Sequence, residues 1–118
     1  TLKKVYHLST CDTCKRILKE VNLPDDVEQQ DIKTEPITST QLEEMQSLSG
    51  NYESLFSKRA QLYRKRDLKN KDLKEEDYKN LILEHYTFLR RPVFMLDGKI
   101  FIGNSKKTVE AVKQQLHG

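Results

Sequence analysis

The sequence predicts an α/β fold: a mixed four-stranded sheet with an all-helical insertion between a βαβ half and a ββα half. Three observations predict it. A strand, a helical stretch and a second strand follow one another within the first 32 residues. Residues 36–88 carry helical signals and no strand signal. Past Pro92, two short apolar runs flank Asp97-Gly98, a strong two-residue hairpin signal, and a final helix follows.

In order, residues 2–8 hold Val5, Tyr6 and Leu8 and read as the first strand. Ser9, Thr10, Cys11 and Asp12 supply residue types that cap a helix start, and from Thr13 onward Ile17, Leu18 and Val21 recur on one face. Asn22-Leu23-Pro24-Asp25-Asp26 stops that helix, and residues 27–32 form the second strand. A strand–helix–strand unit this short implies that the first two strands are parallel.

In the insertion, Thr38 and Gln41 make a capping-box pattern ahead of Leu42, Met45 and Leu48, and Ser49-Gly50 ends the helix. A turn of helix is expected around Tyr52, Leu55 and Phe56. Asp72 is expected to cap a third helix, with Glu75 three residues on and Tyr78, Leu81, Ile82 and His85 behind it. Val93-Phe94-Met95-Leu96 is apolar at every position, as suits a strand covered on both faces, and residues 99–102 form its returning partner. Gly103-Asn104-Ser105 opens a last helix whose Val109, Val112 and Leu116 share a face.

With 118 residues, 36% apolar and 33% charged, the chain fits a single domain able to bury a core without a metal or disulfide. The net charge of +3 is too small to argue for direct nucleic-acid binding. No apolar run approaches the roughly 20 residues needed to span a bilayer, and no signal-peptide core is present. The expected location is the cytoplasm, with no membrane partner.

Cys11 and Cys14 are the only cysteines. A bridge across so short a loop removes little unfolded-state entropy, so a structural disulfide is a poor reading. His7, His85 and His117 show no zinc-ligand spacing around the pair, so no metal is expected. Redox or nucleophilic chemistry is what remains. At a strand–helix junction, Cys11 would meet about half a positive charge from the peptide dipoles and the free N–H groups of the first turn, which favour thiolate. Lys15 and Arg16 would add positive charge and Asp12 oppose it. Cys14, inside the first turn, would face the protein. The same N–H groups would suit an oxyanion.

The segment Tyr6-His7-Leu8-Ser9-Thr10-Cys11-Asp12-Thr13-Cys14-Lys15 resembles the active-site loop of the ArsC/Spx family. Ser57-Lys58-Arg59-Ala60 with Tyr63-Arg64-Lys65 is similar to the family's arginine-bearing insert, and Leu89-Arg90-Arg91-Pro92 resembles its Arg-Pro signature. Gly103 falls where the family has the glycine that closes the hairpin. The resemblance covers essentially the whole chain and implies a thioredoxin-like fold with a cis proline at Pro92. It implies Cys11 as nucleophile, His7 as a group lowering its pKa, and Thr13, Arg59, Arg91 and Pro92 on the substrate side.

In the arsenate-reducing members, arginines matching Arg59 and Arg91 hold the oxyanion, a geometry that suits a guanidinium fork. The thiol–arsenate adduct is then attacked by glutathione, glutaredoxin or another thiol. Cys14 stands where glutathione-coupled reductases lack a cysteine, and no arginine follows the third strand, where Lys99 and Asn104 are the nearest polar residues. These departures keep thiol–disulfide exchange open, with Cys11 attacking and Cys14 resolving. They also keep open a redox-switched transcription regulator that binds the RNA polymerase α subunit, as Spx members do.

Overall fold

The computed structural model describes residues 3–118. The chain runs β1 (Lys3–His7), α1 (Asp12–Glu20), β2 (Glu28–Asp31), α2 (Ser39–Ser49), α3 (Gln61–Lys65), α4 (Glu75–Glu84), β3 (Val93–Leu96), β4 (Lys99–Ile102) and α5 (Lys106–His117). Short 3₁₀ turns occupy Glu53–Leu55, Leu68–Asn70 and Tyr86–Phe88. Leu2, where the first strand was expected to begin, lies outside the described residues. Among them, no helix is long and apolar enough to cross a membrane.

Two compact units form: residues up to Glu35 together with Arg91–Gly118, and Pro36–Arg90. The first contains the sheet, in the order β2-β1-β3-β4. β1 runs parallel to β2 and antiparallel to β3, which turns back into β4, so the sheet is mixed as the sequence predicts. Val5 pairs with Phe94 across β1 and β3. These two, with Val27 and Leu96, pack against Ile17 of α1, Val21 at its C-terminal cap, and Val109 and Val112 of α5. The helical stripes and the strand alternation thus meet on one sheet face, where burial of apolar area stabilises both layers. All four residues of β3 are buried. At the hairpin, Asp97 and Gly98 both adopt left-handed backbone (φ 52° and 81°), the pairing a tight two-residue turn requires.

The second unit is helical. Thr38 and Gln41 make the expected capping box: the Gln41 N–H donates to Thr38 Oγ1 and the Thr38 N–H to Gln41 Oε1, each at 3.1 Å. Gly50 ends α2 at φ 98°. Phe56 stacks on Phe88 at 5.3 Å and tilts against Tyr78 at 4.9 Å. The start of α4 corrects the sequence reading. Asp72 is not its cap; the Asp72 carboxylate pairs with Lys74 Nζ at 2.7 Å, and the Asp77 carboxylate accepts from the Lys74 N–H at 2.8 Å. Helix α3 was not expected, because its five residues are too few to show a periodic face.

Candidate active site at the start of α1

The site is assembled in the sheet unit by the loop that joins β1 to α1. β1 ends at His7, and four residues later Cys11 takes the N-cap place of α1 with extended backbone (φ −95°, ψ 112°). The Cys11 N–H donates to the Leu8 C=O at 3.0 Å, and the Cys11 C=O accepts the first helical bond, from Lys15, at 3.1 Å. These bonds hold Cys11 with its sulfur beside the free N–H groups of the first turn. The sulfur closes no cap hydrogen bond of regular geometry. The groups near it nevertheless favour its negative charge.

Partial burial works against the Cys11 thiolate. It is outweighed by the Cys14 backbone N–H, the Cys14 thiol as a hydrogen-bond donor, the Arg91 guanidinium and the Thr13 N–H, which together bring the thiol below its ordinary value. Cys14 goes the other way. Fully buried, with the neighbouring Cys11 charge disfavouring a second one, its thiol is pushed up to about 11 even though the Leu8 N–H and Arg91 favour its anion. The surroundings therefore favour charge on Cys11 and a proton on Cys14. Both cysteines are free thiols.

Arg91 is half-buried and precedes Pro92, and the Arg91–Pro92 peptide is cis, as the resemblance implied. The Pro92 C=O accepts from the Gly103 N–H at 3.0 Å. Gly103 is buried at φ 93°, a left-handed conformation that favours glycine, so the end of β4 closes against the turn that carries Arg91. Lys15 and Arg16, expected to add charge, are both exposed, and Arg16 pairs with Glu20 at 3.5 Å; the cation prominent at Cys11 is Arg91.

His7 ends β1; burial pulls its imidazole below the ordinary value, with Asp31 partly countering, which disfavours the charged ring. Thr13 contributes through its backbone N–H. Arg59 belongs to the helical unit, exposed on the turn that leads into α3. Sequence reasoning missed Asp31, at the end of β2. Its Oδ1 accepts from the Ser9 and Lys33 N–H groups, each at 3.2 Å. The Asp31-Ile32-Lys33 spacing marks a local turn, but the reach to Ser9 depends on the strand register.

The ArsC family's sequence model matches residues 6–112, which include the cysteine loop, the helical unit, Arg91-Pro92 and most of α5. The chain belongs to the ArsC family. Among its relatives, the global transcriptional regulator Spx of Streptococcus mutans is 28% identical over 104 residues, 86% of this chain and 76% of the regulator. The YFFB (PA3664) protein superposes with a TM-score of 0.78 at 23% identity, over 97% of this chain and 98% of that one. An arsenate reductase from Vibrio cholerae does so with 0.73 at 15% identity, over 98% and 100%. At those identities the two structures show a shared fold, which in the ArsC family is thioredoxin-like. In this ArsC-family chain, Cys11, Thr13, Cys14, Arg91 and Pro92 all belong to the sheet unit.

Proposed function

We propose that the protein is a thiol-dependent oxidoreductase in which Cys11 attacks and Cys14 resolves. The observation that carries this is the division of labour between two adjacent sulfurs, an anion-favouring Cys11 at a helix start and a buried, proton-holding Cys14. The Cys11 thiolate attacks one sulfur of a disulfide R–S–S–R′, giving a Cys11–S–S–R mixed disulfide and releasing R′–S⁻. Cys14 then loses its proton and attacks the Cys11 sulfur, releasing R–S⁻ and leaving a Cys11–Cys14 disulfide. The substrate gains two electrons and the cysteine pair loses them. A thiol of the glutathione class, or a glutaredoxin, returns the pair to the reduced state.

The first attack prepares the second. While Cys11 is an anion, its charge and its hydrogen bond help to keep the proton on Cys14. Once Cys11 is a neutral mixed disulfide those two influences vanish, and the Leu8 N–H and Arg91 remain to favour the Cys14 anion. A small oxyanion such as arsenate would be received at the same thiolate, with the Arg91 guanidinium as its cationic partner on this unit. Arg59 and His7 have no part in the steps written here.

A second reading is favoured by the 28% identity to an Spx regulator. In it, an oxidant of the peroxide class closes the Cys11–Cys14 disulfide, and the changed loop alters binding to a macromolecule, with the RNA polymerase α subunit as the expected partner.

Turnover of arsenate and of a small disulfide is measured with glutathione and glutaredoxin present. Turnover of either is expected, Cys11→Ser should fall to background, and Cys14→Ser should accumulate a mixed disulfide on Cys11. Undiminished turnover in Cys11→Ser overturns the proposal. Absence of turnover with co-purification of the α subunit favours the regulator.

A further inference from the structure

In the loop between β1 and α1, Leu8 is buried but Ser9 and Thr10 are exposed, so beyond Leu8 the chain is held by hydrogen bonds and not by packing. In the parallel register of β1 and β2, Asp31 stands opposite His7. Its Oδ1 accepts from the Ser9 N–H and, on its other side, from the Lys33 N–H, each at 3.2 Å. The Ser9 hydroxyl donates to the same carboxylate.

The Ser9 N–H and the Leu8 C=O belong to one planar trans peptide unit, so they point in opposite directions. Drawing the N–H toward Asp31 aims the C=O away from it. That C=O is the group that accepts from the Cys11 N–H at 3.0 Å. The Leu8 N–H, across one α-carbon, faces the Cys14 sulfur. Both cysteines are thus held through Leu8, and the peptide plane that follows Leu8 is held through Asp31.

We infer that Asp31 is a positioning residue for the chemistry at Cys11: it clamps the Leu8–Ser9 peptide plane and thereby holds Cys11 against the first-turn N–H groups of α1. The role rests on the reading of Cys11 as the reacting thiol. Asp31 touches neither sulfur, and its negative charge alone would discourage a thiolate. Charge and clamp therefore act on Cys11 with opposite signs, which makes them separable.

Asp31→Asn keeps an Oδ1 acceptor for both N–H groups and removes the charge; Asp31→Ala removes both. Alkylation of Cys11 is followed against pH in each variant and in the unaltered protein, with kcat and KM for disulfide reduction measured alongside. In Asp31→Ala the alkylation midpoint should rise, and the rate at pH 7 should fall about threefold to tenfold, a shift of half to one pH unit. kcat should fall by a similar factor with KM little changed. Asp31→Asn should keep a midpoint at or below that of the unaltered protein. A low midpoint in the unaltered protein, with Asp31→Ala matching Asp31→Asn, overturns the clamp alone. An ordinary midpoint in the unaltered protein overturns the reading of Cys11 and the role of Asp31 with it. Hydrogen exchange of the Ser9 amide in the unaltered protein needs no variant to fold: slow exchange is expected, and exchange at the rate of an unstructured peptide contradicts the clamp.

Discussion

Among the described groups that most favour the Cys11 thiolate, Arg91 brings a full positive charge; the others are N–H and S–H donors. A charge in a half-buried place is screened less than one in water, so its removal should be felt at the sulfur. Arg91→Met should raise the Cys11 thiol toward its ordinary value and slow alkylation at pH 7 about threefold to tenfold. Arg91→Lys should recover part of the rate, since it restores charge without the planar fork. Equal alkylation rates in the unaltered protein and Arg91→Met would remove Arg91 from the site. The sequence put Cys11 at a strand–helix junction, where the structure has it, and looked to Lys15 and Arg16 for charge beside the sulfur. Lys15 and Arg16 are close in sequence but exposed on α1, whereas Arg91 arrives through the strand order. No local pattern carries that information.

Element by element, the helical unit shows which boundaries a sequence can specify. Thr38 with Gln41 is legible because both partners of the capping box lie within one turn, and Gly50 because a left-handed end selects glycine. The start of α4 is less legible. Asp72 and Asp77 are both acidic residues near a helix start, and only the backbone path decides that Asp77 accepts from Lys74. Gly50→Ala tests the glycine argument cleanly, since a Cβ there meets nothing within 4 Å. The cost is then backbone strain alone, about 1 kcal/mol. A melting temperature lowered by about 3–6 °C is expected, with Cys11 alkylation unaffected. A variant as stable as the parent would contradict the left-handed end of α2. Thr38→Ala should cost a similar amount, about 1 kcal/mol, read from the denaturant midpoint.

At the scale of the whole molecule, the paired thiols tie stability to pH. Cys14 titrates near 11 in the fold against 9.0 in an unperturbed thiol. A raised folded value means that its contribution is complete below pH 9 and is lost as pH climbs toward 11. Cys11, lowered in the fold, contributes the other way, adding stability as pH rises through its folded value toward 9.0. Urea midpoints at pH 8.5 and 10.5 should therefore fall further in the parent than in Cys14→Ala, which lacks the alkaline loss. Equal falls would place Cys14 in an ordinary environment. The overall fold was legible because α1 and α5 carry apolar faces, β3 is apolar throughout, and the hairpin and cap residues punctuate the chain, whereas β2, Glu28–Asp31, has no apolar period of its own. The support around Cys11 was not, because Asp31 meets Ser9 only through the pairing of β1 with β2.

Rates of iodoacetamide alkylation at Cys11 and Cys14, resolved by mass spectrometry between pH 5 and pH 10, test the central claim most directly. Cys11 should react with a midpoint below that of a free thiol, and the buried Cys14 should react later and only at higher pH than Cys11. Two cysteines that react alike, or a Cys11 that reacts no sooner than free cysteine, would contradict the account.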